Sequence, residues 1–150
     1  MAQNLAELLE KKSHAANAAP IDWDARRDTY LAAVQALYRE IRTILAGPLK
    51  QKTVSLEQRP KQLSENFIGT YSVDDLILLV GNEQVRFSPR GRNVLGAAGR
   101  VDVVGERGEA MLILGGGGNW EFVRSRQPIL QTEPLSEATL GEILQLVMRD

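Results

Sequence analysis

The sequence predicts an α+β fold: two N-terminal helices, an antiparallel β-meander of about five or six strands, and a C-terminal helix packed on one sheet face. Three observations predict it. Residues 75–126 break into short apolar runs, Leu76–Val80, Val85–Phe87, Val101–Val104, Met111–Leu114 and Trp120–Val123, divided by glycine turns at Gly81-Asn82, Gly105–Gly108 and Gly115–Gly118. Runs of that length between such turns read as consecutive hairpins. Tyr30, Leu31, Val34, Leu37, Tyr38, Ile41, Ile44 and Leu45 recur every three or four residues, the spacing of a single helix face. Finally, helices followed by strands and then a helix is the α+β order, not the alternating β/α one.

The elements follow in chain order. A first helix is expected from about Leu5 to Ala16, its only strong apolar residues being Leu5, Leu8 and Leu9, and Asn17–Pro20 ends it,. The second runs from Asp22 to Ala46. Asp22 or Asp24 is its N-cap, where a carboxylate meets free N–H groups and the positive dipole end, and Gly47-Pro48 is its stop,. Residues 48–66 read as a polar connection in which Thr53–Glu57 alternates like an edge strand and Arg59-Pro60-Lys61 interrupts it,. Phe67–Tyr71 reads as a further strand, and Asp74-Asp75 as a turn before Leu76,.

Within the meander, Val85, Phe87, Val101, Val103, Trp120 and Phe122 alternate with Arg86, Arg100, Asp102 and Glu121. Alternation assigns the first set to a core face and the second to the opposite face. Leu76–Val80 and Met111–Leu114 are apolar on both faces and read as central. The last helix starts at Ser136 as N-cap, with Leu135 and Leu140 spaced as a hydrophobic staple,. Its stripe is Leu140, Ile143, Leu144 and Val147. Gly141, inside it, costs about 1 kcal/mol relative to alanine and reads as a close-packing point. All 150 residues are taken as one domain: 1–47 a helical layer, 48–66 a connection, 67–132 the meander and 135–149 the C-terminal helix,.

Composition narrows the function classes. At 43% hydrophobic and 25% charged residues the chain has a globular average,. The absence of cysteine excludes disulfides, thiolate metal sites and a cysteine nucleophile,. The first residues carry Glu7 and Glu10 and no apolar segment of a secretory signal, and the longest aliphatic run, Leu76–Val80, is too short for a bilayer,. A cytoplasmic chain is expected. A net charge of −1 argues against a surface directed wholly at nucleic acid,. The charge is nevertheless uneven. Residues 1–61 hold ten basic and seven acidic side chains, residues 62–150 eight and twelve, and within the acidic part residues 84–107 carry five arginines against Asp102 and Glu106.

Those arginines are the candidate binding residues. Arg86, Arg90, Arg92 and Arg100 come from one strand, a Ser88–Arg92 turn and the next strand, and a guanidinium fork takes phosphate or carboxylate in bidentate fashion,. The competing reading pairs them across strands with Asp102, Glu121 and Glu83. The candidate set is therefore Arg86, Arg90, Arg92, Arg100, Asp102 and Glu121, a face of mixed charge that suits a protein partner or self-pairing better than a polyanion. Gly115–Gly118 leads into a strand and lacks the Gly-Lys-Ser/Thr of a phosphate loop, so it reads as a hairpin loop,.

Catalysis has little to stand on. The single histidine, His14, sits in the weak first helix, so triads and two-histidine metal sites lack a second member,. Asp74, Asp75, Asp102 and Glu121 are what a carboxylate-dependent enzyme would have to use, and this ranks third. No catalytic residue, metal or cofactor is expected. A nucleic-acid or phosphorylated-ligand binder using the arginine face ranks second, and for nucleic acid it lacks a stacking aromatic because Trp120 and Phe122 point inward. The first expectation is a non-catalytic binding or assembly module, homodimeric through Tyr30, Val34, Leu37, Tyr38 and Ile41, with the arginine face as its further surface,.

Overall fold

Seven antiparallel strands form one sheet in strict chain order, and two helices share a core with one of its faces. The computed structural model describes residues 4–10, 22–91, 98–115 and 117–149. Its elements are α1 (Trp23–Ile44), α2 (Ala46–Lys50), β1 (Val54–Glu65), β2 (Gly69–Val80), β3 (Glu83–Gly91), β4 (Arg100–Val104), β5 (Glu109–Leu114), β6 (Trp120–Ser125), β7 (Gln131–Pro134) and α3 (Glu137–Val147). Residues 5–10 are also helical, with Leu5, Leu8 and Leu9 exposed. The remainder of the expected first helix, with His14, lies outside the described residues.

The α+β class is as expected, with the strand count raised to seven. Asp22 caps α1, its Oδ1 accepting from the Ala25 N–H at 2.9 Å,. The 22 residues of α1 span about 33 Å at 1.5 Å each,. Tyr30, Val34, Leu37, Tyr38 and Ile41 are 0–1% exposed against the chain's own sheet. This corrects the expected dimer contact: the stripe is absorbed inside the chain, and a second copy could reach it only by opening the core. Full burial stabilises by about 1.5–3 kcal/mol for each large aliphatic side chain, so Val34, Leu37 and Ile41 anchor the helix.

Hydrogen bonds from aromatic side chains help tie α1 to the sheet. The Tyr38 hydroxyl donates to the Asp74 carbonyl at 2.5 Å, the Tyr30 hydroxyl to the Arg100 carbonyl at 2.8 Å, and the Trp120 indole to the Ala33 carbonyl at 2.9 Å. Burial pushes both phenols well above the ordinary tyrosine range,.

α3 joins the same core through Leu140, Ile143 and Val147. Ser136 caps it and Leu135 and Leu140 are both buried, as a staple requires,. Gly141 does not act as a close-packing point: no atom lies within 4 Å of where its Cβ would be.

Four further sequence readings are corrected. Gly47-Pro48 lies within the short helix α2 and does not stop α1, which ends at Ile44; proline is tolerated in a first helical turn, where its missing N–H costs nothing. The expected connection at 48–66 contains β1, and Pro60 does not interrupt it because β1 is an edge strand, where an unpaired N–H is dispensable,. Asp74 and Asp75 lie inside β2, not in a turn. The Ser88–Arg92 turn is also strand as far as Gly91, while Arg92 falls outside the described residues. The turns at Gly81-Asn82 and Gly105–Gly108 do separate paired strands, and Gly115, Gly117 and Gly118 lie between the paired β5 and β6, with Gly116 outside the described residues.

Candidate functional site

The face opposite the helices is built from alternate residues of the first four strands. On β3, alternation sends Val85 and Phe87 into the core and turns Gln84, Arg86 and Ser88 outward,. On β4 it sends Val101 and Val103 inward and Arg100 and Asp102 outward,. Lys61 on β1 stands opposite Val73 and so reaches Asp75, two residues along β2, on the diagonal,.

A bulge completes the set. Pro89 pairs with Val101 and Gly91 with Arg100, leaving Arg90 as the extra residue of β3. A bulge re-aims its extra side chain. Here Arg90 Nε comes to 3.1 Å from Asp102 Oδ2, and Arg100 Nε comes to 2.6 Å from Asp102 Oδ1. The bulge is held from the core side. Gly91 has φ +104, a conformation suited to glycine, and its N–H donates to the Tyr30 hydroxyl at 3.1 Å,.

A second cluster adjoins this one. Lys61 Nζ is 2.7 Å from Asp75 Oδ1 and donates to Ser88 Oγ at 2.6 Å, while Arg86 Nε stands 3.9 Å from Asp75 Oδ2. The Lys61–Asp75 contact is coulombic in character, because Asp75 Oδ1 makes no directed hydrogen bond. Asp75, Ser88 and Asp102 are 7%, 5% and 5% exposed, whereas the Arg86 and Arg90 side chains are 45% and 52% exposed. The anchors are thus buried and these two arginine side chains about half exposed.

Lys61, Asp75, Arg86, Ser88 and Arg90 line a depression of about 770 Å³ that continues past Asn82 to Glu83 and Glu106. Those two glutamates are clasped by Arg149, whose backbone N–H donates to Glu83 Oε2 at 2.6 Å and whose Nε lies 2.7 Å from Glu106 Oε2. Among the described residues, none that lines the depression is aromatic. The Trp23–Phe67 stack, with ring centroids 5.3 Å apart and Phe67 exposed, belongs instead to the start of α1 and the β1–β2 turn.

Of the six residues singled out from sequence, the structure brings Arg90, Arg100 and Asp102 together and sets Arg86 beside them. Glu121 is elsewhere: it lies on β6, accepts from Thr132 and is separated from Asp102 by β5. Two inter-strand steps amount to about 9.5 Å, with Met111 and Ile113 of β5 standing between, so the two carboxylates do not act on one substrate atom. Sequence reading missed Lys61, Asp75 and Ser88 as a group. The signal that joins them is the β1–β2 register across Pro60, which periodicity alone does not supply.

No protein-family model matches the chain, and no curated protein or solved structure matches it either.

Proposed function

We propose that this chain is a non-catalytic binding module that takes an acidic ligand or partner segment into the depression on the outer face of β1–β4. One observation carries the reading: Arg86 and Arg90 present half-exposed guanidinium groups into a depression whose floor is buried and ion-paired. In the inner cluster four cations (Lys61, Arg86, Arg90, Arg100) face two carboxylates (Asp75, Asp102), a surplus of two positive charges. Arginine forks suit carboxylate and phosphate acceptors.

The contacts also speak against a serine hydrolase. A general base must take the serine proton, but Lys61 donates to Ser88 and is ion-paired with Asp75. Single-stranded nucleic acid is supported less well, since base stacking needs an aromatic platform and none of the described residues lining the depression is aromatic,.

Fluorescence anisotropy with labelled oligoglutamate, oligolysine and single-stranded oligonucleotide tests the reading. The acidic peptide is expected to bind, to weaken with salt, and to lose affinity in Arg86→Glu and Arg90→Glu, while oligolysine does not bind. Acidic-peptide binding that ignores both charge reversals overturns the assignment of this face.

A further inference from the structure

We propose that the cationic end of this depression is a subsite for a phosphomonoester group, recognised as an anion that brings its own proton. The inference rests on the outer face being the working surface and adds the chemistry of what sits there.

Ser88 lies between the donors along the chain. Arg86 and Arg90 flank it at alternate positions of β3, each about 6.6 Å along the strand,, a span that arginine side chains cover easily. The Ser88 hydroxyl accepts from Lys61. A hydroxyl has one proton to donate and two lone pairs, and Lys61 occupies a lone pair, so the Ser88 proton remains to be given. Ser88 is 5% exposed and lines the depression, which puts an oriented donor in its floor. One hydroxyl, one ammonium and two guanidinium forks offer more N–H and O–H groups than a two-oxygen carboxylate accepts. A phosphoryl group has three terminal oxygens and a charge of about −1.5 to −2, matching both the donors and the surplus charge.

Asp75 supplies the selectivity. It lines the same depression, and a carboxylate beside a bound anion is repulsive unless a proton lies between them. A phosphoryl group with its second pKa near 6 can carry that proton at neutral pH; sulfate and a carboxylate ligand cannot. The positive cluster therefore favours phosphoryl groups, and Asp75 within it weakens proton-free anions relative to them.

Calorimetric titration of the full chain decides it, using inorganic phosphate, sulfate, glycerol phosphate, a short phosphoserine peptide and the same peptide with glutamate in its place. Phosphate and the phosphoserine peptide are expected to bind at least about tenfold more tightly than sulfate and the glutamate peptide, the worth of one charge-assisted hydrogen bond. Ser88→Ala should cost phosphoryl ligands about tenfold and leave the glutamate peptide unchanged. Arg86→Lys, at an exposed position where folding is not at stake, should weaken phosphate by loss of the fork. Asp75→Asn should narrow the gap between phosphate and sulfate.

If glycerol phosphate binds as tightly as the phosphopeptide, the subsite serves a small phosphorylated molecule. If the peptide binds more tightly, it serves a modified protein. Either supports the proposal. Equal affinity for the two peptides, indifferent to Ser88→Ala, overturns the phosphoryl subsite but leaves an acidic-ligand surface standing. Failure of every anion, oligoglutamate included, overturns both.

Discussion

The two faces of this sheet carry the same strands and obey the same alternation, yet they are different materials. The helix-covered face is apolar and dry, with Val34, Leu37, Leu76, Val85, Phe87, Val101 and Val103 at 0% exposure. The opposite face buries Asp75, Ser88 and Asp102 beneath arginines whose side chains are about half exposed. The first face tolerates no charge because nothing there could solvate it. The second keeps its charges by pairing them, and pairing is imperfect by one sign. What distinguishes the two faces is that one buries only apolar contacts at these positions while the other buries carboxylates paired with cations.

Substitutions test that division, and the largest effect belongs to the covered face. Ile41→Asp puts an unpaired carboxylate at a site with 0% exposure and should cost about 4 kcal/mol or more, read as loss of the cooperative thermal transition. Arg86→Asp, on the other face, should melt close to wild type. A folded Ile41→Asp chain that merely changes its sedimentation would instead return the stripe to a subunit contact.

Next come the two residues that couple the faces. Gly91→Ala imposes a side chain at φ +104, with Glu65 Oε1 2.5 Å from the new Cβ, and should destabilise by about 1–3 kcal/mol. Tyr30→Phe leaves the Gly91 N–H and the Arg100 carbonyl without the hydroxyl they share, at a cost of about 1–2 kcal/mol in chemical denaturation. Both should also weaken anion binding, because they loosen the bulge that aims Arg90. A Tyr30→Phe chain with full affinity would show that the bulge stands without its pin.

Gly141→Ala should act in the opposite direction. With open space around the position, the substitution should stabilise α3 by about 1 kcal/mol, a rise in melting temperature being the readout.

The smallest effect concerns the clasp between β6, β7 and the middle of α3, where Arg124 meets Glu133 at 2.7 Å and also reaches Glu142. Hydrogen bonding to Arg124 holds the Glu133 carboxyl below its ordinary value of 4.5 and raises Arg124 in return. A depressed carboxylate contributes stability above its unfolded value and loses it as pH falls through the folded one. Arg124→Gln should therefore lower the melting temperature slightly at neutral pH, with the difference from wild type closing as the pH drops below 4.5. A difference that persists in acid would assign the effect to packing over Phe122, whose ring centroid lies 5.4 Å from the guanidinium carbon.

Part of the site was legible from residue order. Arg86, Arg100 and Asp102 could be placed on one face because side chains alternate along a strand, and Trp120 and Phe122 on the other for the same reason. Arg90 was grouped with Asp102 only as a turn residue; its contact with that carboxylate depends on the bulge in β3, and a bulge leaves no periodic signature,. Lys61 was hidden for a different reason. Pro60 reads as a break even in the edge strand expected at Thr53–Glu57, whereas β1 runs on through it to Glu65, because an edge strand can spare the N–H that proline lacks,.

The sequence by itself determined the α+β class, the long amphipathic helix with its Asp22 cap, the three glycine turns and the inward set of the meander. Each of these depends on local spacing or on one residue's backbone preference. The tertiary structure alone decided that the helix stripe is spent within the chain, that β1 and β7 extend the sheet to seven strands, and that Lys61, Asp75 and Ser88 meet. Those outcomes depend on register and on which face another element covers. Both are set by long-range pairing, which residue spacing within a single strand or helix does not encode.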